Sequence, residues 1–494
     1  MTVIPSQPRR ARIVCTLGPA TDSEEMIERL IHAGMNVTRL NFSHGDHATH
    51  RAVYERVRRV SERLRAPVAI LQDLQGPKIR VQRFEEGQIV LVPGAPFRLV
   101  MDDVVGNAER VSVTYKDLAR DVRPGESILL DDGLFELFVE DVRDGEVLTT
   151  VRVGGVLKNN KGINLPNTAI SQPSLTRKDR EDLEFGIELG VDYVALSFVR
   201  SGLDIHQLRC YLPVGNESPG VIAKIEKPQA IAQIDEIITA ADGVMIARGD
   251  LGVEMPPEQV PLMQKDIIRR ANARGKLTIT ATQMLESMTT NARPTRAEAS
   301  DVANAVLDGT DAVMLSGETA SGKYPVETVQ MMARIIVEAE TVRLARTNVR
   351  PEDQTQRLDG PRAIARAAQV AARELDLPLI SCFTMSGLTP RLLKSYRPNR
   401  RILAFTPVLA TWRRMALYWG VDPVMTEATY DTDDLIRKVE RTVVSEGYAE
   451  RGDEVLIVMG HPAGVGSPTN MLKLHRVGEM EDFEAQVSPQ RSTR

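Results

Sequence analysis

The sequence predicts an α/β protein: a closed (β/α)8 barrel that carries an inserted small β-barrel lid domain, followed by an open α/β domain toward the C-terminus. Eight short β-branched runs recur along the chain, most of them followed by a stretch with helical periodicity. A stretch of about 100 residues in which glycine and Asp-Gly pairs interrupt the apolar runs separates the third run from the fourth. At 494 residues the chain is too long for one core, and about 100–200 residues per domain suggests about three domains.

The eight runs account for the barrel, because a closed TIM barrel requires eight strand–helix units. Each run ends in a polar or glycine-containing turn, and in this fold the polar residues at the C-terminal strand ends line the active site. The predicted strands are residues 12–16, 36–41, 68–73, 193–197, 221–224, 243–247, 277–281 and 312–316.

The segment between the third and fourth runs is punctuated by glycine and Asp-Gly pairs, which is typical of an all-β insert. It leaves from a C-terminal strand end, so it would lie over the barrel mouth as a lid. A polar linker near 350–354 precedes further predicted strands near 379–383, 401–405 and 454–458. The predicted domains are a barrel over 1–76 and 174–345, a lid over 77–173, a C-terminal α/β regulatory domain over 346–482, and a tail over 483–494.

Composition excludes several classes of protein. With 42% apolar and 26% charged residues the chain resembles an average globular protein, and its net charge of -5 without a long basic run argues against nucleic acid as a partner. The first residues lack the apolar core of a secretion signal, and no run reaches the ~18 apolar residues of a membrane span, so we expect a cytoplasmic protein without a membrane partner. Cys15, Cys210 and Cys382 are far apart and predict buried thiols instead of disulfides.

Charged residues and glycines follow the fifth and sixth strands. Lys224 and Glu226 are two residues apart, which puts an ammonium and a carboxylate on the same side of the chain. Gly249 and Gly252 flank Asp250 and free the backbone to approach a ligand, and amides that open a helical turn there would bind an anion. Taken alone, the first motif is equally a solvated ion pair, and the second equally a tight turn with an aspartate cap.

The two carboxylates fit a divalent metal site. Hard ions such as Mg²⁺ take one or two carboxylates and leave the other positions to water and substrate oxygens, and Glu226 and Asp250 follow adjacent strands. Mn²⁺ is the alternative ion. The metal would act as template and Lewis acid, while Lys224 would neutralise charge that develops on a transferred phosphoryl group or an enolate. These residues predict metal-dependent phosphoryl transfer.

Cations and hydroxyls follow four other strands. Arg39 and Arg80 suit phosphate oxygens, because a guanidinium presents a rigid fork of donors. Thr282 could hold a carboxylate or relay a proton through water, or it could cap the next helix. For Ser316 the cap is the favoured interpretation, and His44 is interpreted as a turn or packing residue.

Six motifs at the strand ends, taken together and in order, resemble the pyruvate kinase family over nearly the whole chain. Any one of them is weak, whereas six motifs with a lid between the third and fourth units are specific. The resemblance implies transfer of the phosphoryl group of phosphoenolpyruvate to ADP, giving pyruvate and ATP, the last step of glycolysis. The motifs are residues 36–45, 73–80, 224–226, 247–252, 281–288 and 314–319.

The resemblance also implies roles for the residues that carry it. Lys224 would be catalytic by stabilising the transition state. Arg39 would bind the phosphate and share in catalysis. Glu226 and Asp250 would hold the divalent cation. These roles agree with what the residue types predict on their own for a metal-dependent phosphoryl-transfer site.

The same resemblance implies which residues bind the substrate carboxylate and which bind the nucleotide. The amides of Gly249 and Asp250 would hold the carboxylate together with Thr282, which is also the third expected catalytic residue. Arg80 would face the nucleotide phosphates, joined by Lys161 from the lid. Without the resemblance Lys161 is interpreted as a solvated loop charge.

One motif departs from the family pattern. Members that need bound K⁺ typically read Asp-Thr-Lys-Gly-Pro-Glu after the third strand, whereas here Leu74 replaces the threonine and Lys78 the glutamate. The other residues that match monovalent-ion ligands, Asn41, Ser43 and Asp73, are retained. A fixed ammonium on Lys78 would repel K⁺ and take over its electrostatic role. The variant motif therefore implies activity that does not require K⁺.

A loop in the C-terminal domain resembles the phosphate-binding loop of the family's effector site. Its hydroxyls, glycine and amides suit a phosphosugar or AMP, and the residues are Thr384, Ser386, Gly387 and Thr389. An ordinary capped turn is the alternative, because a fold and a loop together do not identify a ligand. The resemblance also suggests an allosterically regulated homotetramer.

Two other functions stay open at the level of the residues. A lyase or aldolase that holds a pyruvate enolate on Mg²⁺ needs the same Glu226, Asp250 and anion-binding amides. It has no use for Arg80 and Lys161, however, and would form no ATP. A non-catalytic regulatory or scaffold protein on the same fold would not need Lys224, so a methionine there distinguishes an enzyme from a scaffold.

Overall fold

The computed structural model describes residues 9–345, 359–462 and 466–480, so the predicted linker near 350–354 and the tail over 483–494 lie outside the described residues. The chain opens with alternating strands and helices. Ser23 and Asp46 accept backbone N–H groups where the first two helices begin. The first elements are β1 (Arg12–Thr16), α1 (Glu24–Ala33), β2 (Val37–Asn41), α2 (His47–Leu64) and β3 (Ala69–Asp73).

The lid leaves the barrel after β3 and is built of short strands. Its elements are β4 (Gln88–Leu91), β5 (Pro96–Val100), β6 (Arg110–Ser112), α3 (Leu118–Asp121), β7 (Ser127–Leu130), β8 (Phe135–Arg143), β9 (Glu146–Val153), β10 (Gly155–Lys158) and β11 (Ile163–Asn164). Six of these strands form one sheet in the order β11-β7-β8-β9-β5-β6, and β4 pairs with β10 as an antiparallel ribbon. Phe97, Leu137 and Leu157 belong to one apolar core, which joins the sheet and the ribbon.

The chain then returns to complete the barrel. Its elements are α4 (Arg177–Leu189), β12 (Tyr193–Leu196), α5 (Gly202–Arg209), β13 (Gly220–Ile225), α6 (Pro228–Ala232), α7 (Ile234–Ala240), β14 (Gly243–Ala247), α8 (Arg248–Glu254), α9 (Val260–Ala273), β15 (Leu277–Ala281), α10 (Arg296–Asp308), β16 (Ala312–Leu315), α11 (Gly317–Ala320) and α12 (Pro325–Ala345). The eight parallel strands close in the order β1-β16-β15-β14-β13-β12-β3-β2. The apolar residues of these strands pack both inside the barrel and against the surrounding helices, as a parallel barrel requires.

The C-terminal part forms a second, open sheet. Its elements are α13 (Gly360–Glu374), β17 (Leu379–Phe383), α14 (Leu388–Ser395), β18 (Arg401–Thr406), α15 (Leu409–Arg414), β19 (Val421–Met425), α16 (Thr432–Ser445), β20 (Glu454–Gly460) and β21 (Thr469–Arg476). The sheet runs in the order β19-β18-β17-β20-β21, and β21 is antiparallel to β20.

This sheet packs against the N-terminal ends of the barrel strands, opposite the barrel mouth. Tyr193 at the start of β12 donates a hydrogen bond to the Arg414 carbonyl at 2.8 Å. Lys394 and Arg397 pair with the buried Asp311 at 2.7 and 2.9 Å. Apolar side chains of the barrel interior and of α13 and β17 form one continuous core, so the two parts are joined by packing as well as by charge.

The predicted fold class is confirmed: all eight predicted barrel strands are present, and an α/β sheet follows them. The predicted domain boundaries stay predictions.

The prediction of three buried thiols is wrong for Cys210, which is exposed, whereas Cys15 and Cys382 are buried. Cys210 ends the short helix α5, where its backbone caps the helix and its side chain faces outward. Within the described ranges, no helix combines the length and apolarity needed to cross a membrane.

Candidate active site

Lys224 lies at the end of β13 among side chains from two other strands. Its Nζ is 2.8 Å from Glu226 Oε1 and 3.3 Å from Asp73 Oδ1, and it donates a hydrogen bond to Ser197 Oγ at 2.7 Å. The side chains of Asp73 and Glu226 are only 1% and 2% exposed. The alternative of a solvated ion pair is therefore wrong for this motif, because a pair at the surface would leave both partners in water.

The electrostatics keep Lys224 charged. Burial alone would lower its pKa, but the carboxylates of Asp73 and Glu226 outweigh burial and raise that pKa above its ordinary value. Burial, together with the nearby Asp250 and against the attraction of Lys224, raises the pKa of Glu226. At neutral pH Lys224 is thus a fixed cation and not a proton acceptor.

Arg39 joins the same group of charges from β2. Its guanidinium contacts Asp73 Oδ2 through Nε at 2.7 Å and through a terminal nitrogen at 2.6 Å, and it donates to Thr16 Oγ1 at 3.1 Å. Burial works to raise the pKa of Asp73, yet Lys224 and Arg39 lower it below its usual range. Asp73 therefore orients both cations at the barrel mouth.

The glycine-flanked segment opens a helix, as the anion-binding interpretation requires. Gly249 and Asp250 lie in the first turn of α8, directly after β14. Thr282, with φ of 68°, accepts the Gly249 N–H at 2.7 Å and donates to the Ala281 carbonyl at 2.6 Å. Arg248 holds the Thr282 carbonyl at 2.8 Å. Thr282 is therefore tied to the start of α8, and it does not cap the helix that follows its own strand.

Glu226 and Asp250 together fit a divalent ion. Glu226 Oε2 accepts the Phe198 N–H at 2.8 Å while Oε1 faces Lys224, which fixes the orientation of the carboxylate. No described residue donates a hydrogen bond to the Asp250 carboxylate, which lines a cleft between lid and barrel. Two acidic oxygen donors, one fixed and one free, are the donor set that a hard cation with water and substrate ligands needs.

The two expected nucleotide cations are close together in the lid. Arg80 donates to the Asn160 carbonyl at 2.8 Å, and its backbone forms a bridge with Gly162. Lys161, between those two residues, pairs with Asp131 at 2.9 Å. The structure therefore brings Arg80 and Lys161 into adjacent segments, each with a partner inside the lid.

The residues that match monovalent-ion ligands lie in different surroundings, some polar and one apolar. Asn41 Oδ1 accepts the Ser43 N–H at 3.1 Å, whereas the Leu74 side chain is buried in the apolar core. Lys78 is exposed and lines the cleft that Asp250 lines, and no described residue forms an ion pair with it. The ion-pair partners of Asp73 are Arg39 and Lys224. Lys78 thus lies at the mouth without neutralising Asp73 directly.

The candidate effector loop connects β17 to α14. Thr384 Oγ1 accepts the Gly387 N–H at 2.8 Å, and Gly387 has φ of 84°, so the loop closes as a tight turn before the helix. Ser386 is exposed. Thr389 is buried, and its hydroxyl shares a hydrogen bond of 2.7 Å with Thr469 in β21. Three of the four residues therefore border the turn, while the Thr389 hydroxyl is already engaged.

Several residues of the site were given no role in the sequence analysis. Ser197 and Phe198, after β12, contact Lys224 and Glu226. Phe198 has φ of 54°, a strained value for a bulky residue, and is held there by the Glu226 bond. Glu318 is fully buried and accepts N–H groups of Leu285 and Ser316 at 3.2 and 2.7 Å, which ties the ends of two strands together. Ser197 ends a predicted strand, Phe198 follows it, and Glu318 lies in the motif over 314–319, so these positions were the signal that could have suggested them.

Known proteins resemble this chain over most of its length. Residues 8–329 match the family model described as pyruvate kinase, barrel domain, and residues 362–475 match pyruvate kinase, alpha/beta domain. Pyruvate kinases of Staphylococcus saprophyticus and Staphylococcus epidermidis are 48% and 46% identical to this chain, and each match covers 95% of this chain and 81% of the relative. A crystal structure of a pyruvate kinase from Cryptosporidium parvum is 35% identical, with a TM-score of 0.89 over 95% of this chain and 96% of that one. This chain therefore belongs to the pyruvate kinase family.

Proposed function

We propose that the reaction of this family, transfer of the phosphoryl group of phosphoenolpyruvate to ADP, takes place here around Lys224, Glu226 and Asp250. The observation that carries the proposal is the Lys224 ammonium, only 12% exposed at its side chain, which lies between the buried Asp73 and Glu226 and stays charged. A fixed cation at this position suits the negative charge of a transferred phosphoryl group and of the enolate left behind. The lyase alternative lacks such support, because the relatives of the chain are pyruvate kinases.

Glu226 and Asp250 would hold the Mg²⁺ that the family generally needs, with Mn²⁺ as the alternative ion. When bound, the ion supplies Lewis-acid polarisation and a template for substrate oxygens. The oriented Glu226 carboxylate and the free Asp250 carboxylate support these roles. Arg39, oriented by Asp73, would bind the phosphoryl group through its remaining donors.

Thr282 and the start of α8 would receive the substrate carboxylate. A carboxylate that binds the amides of Gly249 and Asp250 would take over the Gly249 N–H that Thr282 now accepts. The enolate left after transfer needs a proton on its methylene carbon. The Thr282 hydroxyl, released from Gly249, would relay one through water.

The lid cations would bind the nucleotide. Arg80 and Lys161 lie in adjacent lid segments, and their present partners are a carbonyl and one aspartate. Phosphate groups of ADP or ATP carry more negative charge than these partners and would replace them. This pair of cations distinguishes a nucleotide-using kinase from a lyase on the same barrel.

We also propose that activity does not require K⁺. The pKa of His44 is lowered by its burial and then by Lys78, Arg80 and Arg39, which indicates a positive field on this side of the mouth. A further monovalent cation would be repelled from such a field. Leu74, buried among apolar groups, offers no side-chain oxygen to a metal ion. Asn41, Ser43 and the neutralised Asp73 are the only other expected ligands.

The metal assignment is tested by the Mg²⁺ dependence of pyruvate formation from phosphoenolpyruvate and ADP. Asp250→Asn should raise the Mg²⁺ concentration at half-maximal rate by at least about tenfold, because one anionic ligand is lost. The control is Asp144→Asn, in an exposed lid turn with φ of 51° that asparagine also tolerates. An unchanged Mg²⁺ dependence in Asp250→Asn would contradict the assignment.

The turn of Thr384, Ser386 and Gly387 is proposed as the effector site of a regulated homotetramer that acts in the cytoplasm. Its exposed Ser386 and its position at a helix start support a phosphorylated ligand. Thermal shift with a series of phosphosugars and with AMP tests this site. Stabilisation by one of them is expected, and no shift with any of them would favour the capped-turn interpretation.

A further inference from the structure

Glu254, the last residue of α8, joins three segments of the chain through one carboxylate oxygen. It is 4% exposed, and its Oε1 accepts hydrogen bonds from Lys227 Nζ at 2.5 Å and from Asn164 Nδ2 at 2.9 Å. Lys227, 5% exposed, follows β13, and Asn164 belongs to β11 of the lid. Glu254 is thus the point where the lid, the helix that carries Asp250, and the strand that carries Glu226 meet.

The same carboxylate is linked to both proposed metal ligands. Asp250 and Glu254 are four residues apart in α8, so they lie on one face of the helix. Lys227 directly follows Glu226, and its ammonium lies 5.7 Å from the centre of the Phe198 ring. Phe198 in turn donates its N–H to Glu226 Oε2 at 2.8 Å. A shift of Glu254 would therefore also displace the carboxylates of Glu226 and Asp250.

On the other side, Glu254 is linked to the lid segment with the nucleotide cations. Asn164 is three residues from Lys161 and pairs in β11 with Leu129 of β7. Gly133 of the lid also lies close to Val253 of α8, since a methyl group built on Gly133 would be 3.4 Å from that side chain. The lid thus touches α8 at its last two residues.

We propose that Glu254 is a positioning residue that holds the lid over the barrel mouth, and so sets the affinity for ADP without touching either substrate. The proposal rests on the proposed roles of Lys161, Glu226 and Asp250. The bond to Asn164 fixes the distance between the lid cations and the metal carboxylates. The ion pair with Lys227 fixes Glu254 itself, because both charges are buried and neither can turn to water.

The test begins at Asn164, because Asn164→Ala removes the lid contact and leaves the buried Lys227–Glu254 pair intact. We expect the KM for ADP to rise about fivefold, since a hydrogen bond to a charged group is lost. The KM for phosphoenolpyruvate and the thermal midpoint should change little. The control is Asn107→Ala, which also loses side-chain hydrogen bonds, to Glu109 and Arg110, but lies within the lid and away from the barrel. Its kinetic constants should stay as in the unaltered chain.

Glu254→Gln is the second variant, since it keeps an acceptor for Asn164 but removes the charge that faces Lys227. Here kcat should fall as well, because a released Lys227 no longer fixes Phe198 beside Glu226. The proposal is overturned if Asn164→Ala leaves the KM for ADP unchanged, or if it raises both KM values equally with a lower thermal midpoint. Failure of the unaltered chain to form pyruvate would instead overturn the function itself.

Discussion

Lys224 shows how burial and neighbouring charges act on a single residue. Burial disfavours its charged form, yet Asp73 and Glu226 lie within 3.3 and 2.8 Å and reverse the effect. A lysine with a raised pKa does not accept protons at neutral pH. It is suited to stabilise an anion by its charge, which is the contribution that phosphoryl transfer needs most from its protein.

Lys224→Met should therefore lower turnover strongly while the fold and the ligand sites persist. We expect kcat for pyruvate formation to fall by a factor of about 10² to 10⁴, as removal of a preorganised electrostatic group does elsewhere. Mg²⁺-dependent binding of phosphoenolpyruvate, measured by calorimetry, should be retained. Lys265→Met is the control, because Lys265 is an exposed lysine on the outer helices that likewise pairs with an aspartate, Asp308. Loss of binding together with turnover would contradict a purely electrostatic role for Lys224.

At the scale of elements, the site depends on backbone turns that follow the barrel strands. Gly76 lies where the lid leaves β3 and has φ of 69°, and a methyl group built there would lie 2.7 Å from the Phe198 ring and 2.9 Å from Ser197 Cβ. Ser197 and Phe198 hold Lys224 and Glu226. One small residue thus lets the lid begin directly beside the residues that hold Lys224 and Glu226.

Gly76→Ala should reduce kcat by about tenfold or more, since the displaced Ser197 and Phe198 lose the arrangement that catalysis requires. The control is Gly94→Ala, because Gly94 has a similar φ of 83° but nothing within 4 Å of a built methyl group. Both variants carry the same backbone strain, of order 1 kcal/mol. Equal kinetic constants for the two proteins would show that crowding at Gly76 has no effect on the site.

Much of this arrangement could be predicted from the sequence, for physical reasons that also explain what was missed. The barrel strands are buried on both sides, so each of them appears in the sequence as a separate apolar run. In the C-terminal sheet, β19 was not predicted, because Asp422 and Pro423 interrupt its apolar pattern, and β21 was not predicted, because Lys473 and Arg476 make it resemble a surface segment.

The site follows the same rule. Lys224, Glu226 and Asp250 stand at strand ends, where local pattern and fold together point to them. Glu254 could not be predicted, because its partners Lys227 and Asn164 come from other parts of the fold, and in sequence it is only an acid at the end of a short helix. Contacts between distant segments leave no periodic signal in the chain.

At the scale of the whole molecule, the C-terminal sheet is joined to the barrel by a fully buried ion pair. Lys394 of α14 reaches Asp311 just before β16, and Arg397 completes the group at 2.9 Å. Asp311 also accepts the Thr278 N–H at 2.9 Å, so it contacts both β15 and the C-terminal part. The helix that begins at the candidate effector turn therefore ends at the N-terminal ends of the barrel strands.

Burial lowers the pKa of Lys394 to about 8, from an ordinary value of 10.5. Between these values the unfolded chain binds more protons than the folded one, so this group makes stability rise with pH. Relative to Lys394→Met, the free energy of unfolding of the unaltered chain should increase by about 2 kcal/mol from pH 7.5 to pH 9.5. Denaturant unfolding of both proteins at the two pH values measures this increase. If the free-energy difference between the two proteins is the same at both pH values, the pKa of Lys394 is not lowered by burial.

The most direct test of the proposed site is the rate of pyruvate formation from phosphoenolpyruvate and ADP when K⁺ is replaced by a large organic cation. We expect an unchanged rate for this chain, because Lys78 provides a fixed positive charge at the mouth. We expect a K⁺-dependent rate for the double variant Leu74→Thr with Lys78→Glu, which restores the family pattern. A strong loss of rate in the unaltered chain without K⁺ would contradict the role proposed for Lys78.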